Sequence, residues 1–175
     1  MRWHVRLSLL MLVTGAFVVP AAAGESAAEV RLKAGFVANF LQFTTWSDSP
    51  ARITACGLGP GRAGDTLDHL AKVAKALPEV SIRRLRSQEG LAGCHVLFLG
   101  EEQSQALPGI LSAASASRLP LLVVTDFESG APLGATISLV ATGGGRQGFD
   151  VNLTAARNAG LVMSTRLLQL ARRVY

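Results

Sequence analysis

The chain has 175 residues, 49% of them hydrophobic, which suits one globular domain with a substantial core. Its net charge of +5 includes Arg2 and Arg6, which lie in a segment that we expect to be removed; 15 Lys and Arg then face 12 Asp and Glu. This mild excess, with no arginine run that interleaves aromatic residues, argues against a nucleic-acid-binding protein.

The start of the chain has the order of an export signal. The two arginines just named are followed by a short apolar run at residues 7–19 and by three alanines at 21–23, a small-residue cleavage site. The run is too short for a bilayer-spanning helix, although an uncleaved membrane anchor is the alternative. We therefore predict a cleaved signal peptide over residues 1–23, one domain over residues 24–175, and a periplasmic location.

Two cysteines, Cys56 and Cys94, suit an oxidising compartment, and their even count permits one disulfide. The alternative is a pair of buried, reduced cysteines, because Cys is often a small core residue. Export favours the bridge. Cys56 is expected near the end of one strand and Cys94 at the start of another, so the bridge requires those strands to be neighbours.

Helical and extended patterns alternate along the chain. Helices are predicted at residues 27–43, from 65 onwards, at 108–117 and at 154–174; strands are predicted at 52–58, 80–85, 95–99, 121–124, 136–140 and 149–153. The runs at 95–99 and 121–124 are apolar almost throughout, which is typical of central parallel strands buried on both faces. This order predicts an α/β layered sandwich with a mostly parallel sheet flanked by helices.

The end of the chain is predicted as a strand, a capped turn and one long helix. Three glycines at 143–145 turn the chain between the last two strands, which favours an antiparallel hairpin. Thr154 is placed to cap the final helix through its hydroxyl oxygen. Gly160 within that helix indicates close packing or a kink, because glycine is unfavourable in a helix interior.

Ligands of α/β proteins often bind at the carboxyl ends of the parallel strands. A glycine cluster at residues 57–64 follows the first of these strands, but it matches no phosphate-binding motif, and a plain turn is the leading interpretation. Arg83, Arg84 and Arg86 surround the end of the second strand, where they form either an anion site or a solvated edge.

No set of residues points to catalysis. The sequence has no nucleophile-elbow motif, and the predicted domain contains two histidines, His69 and His95, neither with a supporting motif. Asp126 and Glu128 follow the fourth strand, where a loop-stabilising role is the simpler interpretation. No metal-ligand spacing is present. We predict a binding or interaction domain without catalytic activity, cofactor or metal.

Two segments resemble the YfiR-like family of exported bacterial proteins. Residues 32–46 are similar to its opening helix, and residues 149–171 to its closing strand–helix motif. The matching positions are Lys33, Ala34, Phe36, Asn39, Phe40, Phe43, Trp46, Phe149, Asn152, Leu153, Ala156, Gly160, Leu161, Leu167, Leu168 and Ala171. Val151 replaces an isoleucine, and the second cysteine pair that some members carry before the final strand is absent.

The resemblance implies a regulatory role. Its best-understood members are periplasmic repressors that bind the periplasmic portion of an inner-membrane diguanylate cyclase and lower cyclic-di-GMP signalling, on which biofilm formation depends. A periplasmic carrier or sensor of a small molecule is the alternative function. A homodimer is one further arrangement that the sequence leaves open.

Four residues are predicted to lie at the partner or ligand surface: Trp46, Asp150, Asn152 and Arg157. Asp150 and Asn152 point away from the apolar face of their predicted strand. Arg157 lies one helical turn beyond the predicted cap, Thr154. A structural role in satisfying backbone groups is the leading interpretation of Asn152. We expect Asp150 and Arg157 to be exposed and therefore dispensable to folding.

Overall fold

The computed structural model describes residues 26–59, 61–74 and 79–175. The strands are β1 (Thr44–Trp46), β2 (Ile53–Leu58), β3 (Val80–Leu85), β4 (Val96–Leu99), β5 (Leu122–Thr125), β6 (Ile137–Ala141), β7 (Gln147–Val151), β8 (Leu161–Met163) and β9 (Arg173–Val174). The helices are α1 (Ala27–Gln42), α2 (Arg62–Val73), α3 (Leu107–Ala116), α4 (Leu153–Asn158) and α5 (Thr165–Leu170). Two short 3₁₀ turns, Gln88–Leu91 and Glu101–Ala106, precede β4 and α3.

Seven strands form the main sheet, in the order β3-β2-β4-β5-β6-β7-β9. All neighbours are parallel except β6 and β7, which form the predicted antiparallel hairpin. The glycines of the connecting turn have positive φ angles, including 82° at Gly143, which a tight turn requires. The α/β architecture with a mostly parallel sheet is therefore confirmed.

The sheet separates two hydrophobic layers, because successive side chains of a strand point to opposite faces. In β4, Val96 and Phe98 pack in the layer formed with α1, α2 and α5. Leu97 and Leu99 pack in the other layer, under α3. All four β4 residues are buried, which explains the continuous apolar run that the sequence shows there.

Two phenylalanines of α1, Phe36 and Phe40, join this helix to the core. Ser26 caps this helix by accepting a hydrogen bond from the Glu29 backbone N–H at 3.2 Å. The rings of Phe36 and Phe40 both pack edge-on against Phe149 of β7, with centroid distances of 6.0 and 5.0 Å. These contacts join the two segments that carry the family resemblance.

The prediction of one long final helix is wrong. Helix α4 ends before Gly160, whose φ of 69° lies in the left-handed region where glycine is favoured. The chain then forms β8, which pairs antiparallel with β1, so a two-stranded ribbon replaces the middle of the expected helix. After α5, the short strand β9 joins the edge of the main sheet beside β7.

The cap of α4 also differs from the prediction. Asn152, and not Thr154, is the N-cap residue, and its Oδ1 accepts a hydrogen bond from the Ala155 N–H at 2.8 Å. The cap lies two residues earlier than expected because the strand ends at Val151 and leaves the asparagine free to cap.

The predicted signal peptide lies outside the described residues. In the described part of the chain, no helix is long and apolar enough to cross a membrane.

Candidate functional site

A buried ion pair lies at the carboxyl end of β5, at the edge of the sheet where ligands of α/β proteins often bind. Asp126 follows β5 directly. The Nζ of Lys33 in α1 lies 2.8 Å from Asp126 Oδ2 and 2.9 Å from Glu29 Oε1. Lys33 is 3% exposed. Burial of such a charge is costly unless an opposite charge compensates it. Helix α1 therefore closes this part of the sheet edge with its own charged side chain.

The glycine cluster after β2 is used for close packing. A Cβ added to Gly57 would lie 2.7 Å from Leu67 Cδ1, so a larger residue there would require the buried Leu67 side chain of α2 to shift. A Cβ at Gly61 would lie 2.5 Å from Glu102 Oε1. The contacts favour the turn over the phosphate site.

Two of the three arginines near β3 are engaged within the fold. Arg83 donates to the carbonyl oxygens of Gly90 and Ala92, both at 2.7 Å, and also contacts Cys94 Sγ. Arg84 pairs with Asp68 of α2, and this hydrogen bond raises the pKa of the guanidinium above its ordinary value. These contacts argue against a shared anion site at this edge.

Cys56 and Cys94 form the predicted disulfide, with a Cα–Cα distance of 5.9 Å and both residues buried. Strands β2 and β4 are direct neighbours, as the bridge requires. Cys56 lies inside β2, which continues to Leu58, so the pair is closer than the predicted strand ends suggested.

The four predicted contact residues do not form one exposed surface. Trp46 is 4% exposed, and its Nε1 donates to the His95 carbonyl oxygen at 3.3 Å. Asp150 is fully buried. Asn152 caps α4 and donates through Nδ2 to the Ala131 carbonyl oxygen at 2.9 Å, which supports the structural interpretation. Of the four, Arg157 is the exposed residue.

Trp46 and Asp150 are buried because elements that the sequence did not reveal cover them. The β1–β8 ribbon turns Trp46 into the core beside Leu161. On the sheet face of Asp150, Arg172 from the C-terminal end pairs with its carboxylate, and the β5–β6 connection donates a hydrogen bond to its cross-strand neighbour Ser138. The expectation that both side chains are available at the surface is therefore wrong.

An ion-pair network ties the C-terminal strand to the sheet. Arg172 donates to both carboxylate oxygens of Asp150, at 2.9 Å to Oδ1 and 2.8 Å to Oδ2, and also pairs with Glu128. These hydrogen bonds raise the pKa of Arg172 above its ordinary value. Asp126 and Glu128, the acids of the loop after β5, each pair with a cation, as their expected loop-stabilising role suggests. The cationic partners could not be predicted, since ion pairs between distant segments leave no local pattern in the sequence.

An open cleft of about 980 Å³ lies between the C-terminal end of α3 and α4. Its floor is formed by residues at the start of β5 and just before β6. Apolar side chains such as Leu111 and Leu121 share the lining with the polar residues Ser115, Arg118 and Asn158. A cleft of this size can hold a drug-sized molecule.

Within the described ranges, no group of three or more His, Cys, Asp or Glu side chains is placed to hold a metal ion. His95 has a structural contact instead, since its Nδ1 accepts a hydrogen bond from the Thr54 N–H at 3.0 Å.

The fold defines an α/β domain, and two solved structures share it. One is the ABC domain of a Streptococcus pneumoniae protein in complex with L-Trp, with a TM-score of 0.59 and 10% identity over 83% of this chain. The other is a conserved domain protein from Vibrio cholerae O1 biovar El Tor, with a TM-score of 0.54 and 14% identity over 83% of this chain. The chain spans 60% of the length of each.

The family model described as YfiR/HmsC-like matches residues 30–172, and the chain belongs to this family. The match includes both segments on which the resemblance depends. No curated protein matches the chain.

Proposed function

We propose that this chain is a periplasmic, non-enzymatic regulator that binds the periplasmic portion of an inner-membrane diguanylate cyclase and lowers cyclic-di-GMP signalling. Membership of the YfiR/HmsC-like family carries the proposal, because the match covers residues 30–172. This family is known as regulatory rather than catalytic, and its members act in the periplasm.

Two features of the molecule support this proposal. The Cys56–Cys94 disulfide suits an oxidising compartment, which is where a cleaved signal peptide over residues 1–23 would deliver the domain. The Lys33–Asp126 pair occupies the strand ends at which an α/β enzyme would place its catalytic groups. An interaction surface elsewhere on the domain fits this arrangement better than a catalytic site there.

Arg157 is the predicted contact residue that remains available to a partner. It is exposed in the last turn of α4, and no acidic side chain in the described structure is paired with it. We propose that it contributes to partner binding, and that Trp46, Asp150 and Asn152 act only by maintaining the fold.

The gene should be deleted in the bacterium that encodes the chain, and intracellular cyclic-di-GMP should be measured. We expect the level to rise on deletion, to return with the full chain, and to stay high when residues 2–23 are removed, because the protein then remains in the cytoplasm. Arg157→Ala should restore the level only partly. Unchanged cyclic-di-GMP on deletion would contradict the proposed regulation.

A second function, the binding of a small molecule in the periplasm, is favoured by the cleft of about 980 Å³ between α3 and α4. The solved Streptococcus pneumoniae domain with this fold was in complex with L-Trp. Thermal unfolding of the purified chain in the presence of metabolite pools tests this function, since a ligand that binds the folded state raises the unfolding midpoint. Ser115→Trp, at an exposed position of the cleft lining, should fill the cleft and abolish any such shift.

A further inference from the structure

We propose that the outer face of the β1–β8 ribbon and the adjoining turn of α5 form a docking site for an acidic and apolar segment of a protein partner. This ribbon surface consists of Phe43, Thr45, Val162, Arg166 and Leu170. The proposal rests on the proposed function, in which the partner is the periplasmic portion of the cyclase, and it names the surface and the chemistry that this partner would present.

The apolar part of the ribbon surface is unusually exposed. In β8, Leu161 and Met163 point into the core, whereas Val162 between them is 67% exposed. Val162 lies directly opposite Thr45 of β1, which is also exposed. Leu170 at the end of α5 is 65% exposed. Two of the most exposed large hydrophobic side chains of the described structure therefore lie on neighbouring elements.

The charged part of the ribbon surface is Arg166. Its guanidinium carbon lies 5.7 Å from the centroid of the Phe43 ring, within the range of a cation–π contact. The Ser164 N–H donates to the Phe43 carbonyl oxygen at 2.9 Å, which fixes α5 beside β1. Leu170 follows Arg166 by one helical turn and so shares its face of the helix. The arginine and the exposed hydrophobic residues thus occupy one surface.

Arg166 is held in place but not neutralised. No acid of the described structure forms an ion pair with it, in contrast to Arg172, which is paired with Asp150 and Glu128. Residues 151–175 contain four arginines and no Asp or Glu, so this part of the chain supplies no acid from its own sequence. An incoming carboxylate is the chemical group that complements Arg166.

A protein segment fits the ribbon surface better than an anionic bilayer does. Membrane binding through basic residues typically uses clusters of about 4–8 Lys or Arg, and the ribbon surface contains one. Arginine and aromatic side chains are enriched at protein–protein interfaces, and Arg166 beside Phe43 is such a pair. A segment with one or two acids beside large apolar residues matches this composition.

Folding does not require the exposed hydrophobic residues of this surface. The inner residues Trp46, Leu161 and Met163 anchor the ribbon in the core, whereas Val162 points outward. A polar residue at position 162 should therefore be tolerated, since surface substitutions away from such anchors change stability little. Binding and folding can be separated by mutation at this site.

The test uses the full chain after export and the purified periplasmic portion of the inner-membrane cyclase whose output rises on deletion of the gene. The variants Val162→Asp and Arg166→Glu should each weaken binding, measured by calorimetry, by about tenfold or more. The matched controls are Leu133→Asp, an equally apolar residue that is 59% exposed in the β5–β6 connection, and Arg146→Glu in the β6–β7 turn. Both controls should bind like the wild type. Leu170→Asp serves in place of Val162→Asp if that variant fails to fold.

The possible results distinguish an error in the docking surface from an error in the proposed function. Wild-type affinity of the Val162, Arg166 and Leu170 variants would overturn the ribbon surface and leave the proposed function standing. Failure of the wild-type chain to bind any periplasmic cyclase portion would overturn both. A bilayer, and not a protein, would be the partner under the following results. The wild-type chain would float with vesicles containing 30% phosphatidylglycerol, and the Val162, Arg166 and Leu170 variants would not. The same variants would bind the cyclase portion with wild-type affinity.

Discussion

Arg172 and Asp150 form a bidentate ion pair that joins the residue just before β9 to a fully buried carboxylate of β7, with N–O distances of 2.8 and 2.9 Å. Asp150→Ala should lower the free energy of unfolding by about 2 kcal/mol, because it removes two charge-assisted hydrogen bonds from a buried position. Urea unfolding followed by circular dichroism measures this loss. Arg172→Ala should also destabilise the protein, whereas Arg173→Ala should stay within about 0.5 kcal/mol of wild type. Wild-type stability of the Asp150 variant would contradict the burial of this pair.

The cap of α4 can be tested by comparing two residues. Asn152→Ala should destabilise by about 1–2 kcal/mol, because it removes the cap of α4 and the hydrogen bond to the Ala131 carbonyl oxygen. Thr154→Ala should have little effect, since Thr154 is exposed and is not the cap. Thermal unfolding of both variants gives the comparison, and a larger effect at Thr154 would restore the cap that the sequence predicted.

Two glycine-to-alanine substitutions should have opposite effects. Gly160→Ala should cost about 1–2 kcal/mol, because the φ of 69° is unfavourable for a residue with a Cβ. Gly35→Ala should stabilise by about 0.5–1 kcal/mol, since Gly35 lies inside α1 and its added Cβ meets no atom within 4 Å. Chemical unfolding of the two variants is the measurement. A stabilising effect at Gly160 would mean that the long final helix forms after all.

The disulfide closes a loop with a sequence separation of 38 residues. In the chain-entropy description, a loop of this length stabilises the folded state by about 4 kcal/mol, since the bridge restricts the unfolded chain. The double variant Cys56→Ala/Cys94→Ala should lose a large part of this stability, and a reducing agent should lower the unfolding midpoint of the wild type alone. Two free thiols in denatured, unreduced protein would show that the bridge does not form.

Local patterns were sufficient to predict the main elements of the sheet. The apolar runs of β4 and β5 indicated strands buried on both faces, and the glycines at 143–145 indicated the hairpin. These features follow from side-chain alternation and turn geometry, which involve only a few neighbouring residues. Both segments that carry the family resemblance also lie within the matched region.

Alternation placed Asp150 on the correct face of β7 but could not show that this face is covered. The cover comes from residues 126–135 and 172–175, which are distant in sequence, so the acid that the pattern predicted as exposed is fully buried. The same limit explains β8. Residues 161–163 continue an apolar pattern compatible with a helix, and they become a strand because Thr44–Trp46 offers them a partner. The sequence by itself determined which side chains share a face, because that depends on the period of the backbone. Only the tertiary structure decided which faces are buried, because burial depends on segments that are far apart in the chain.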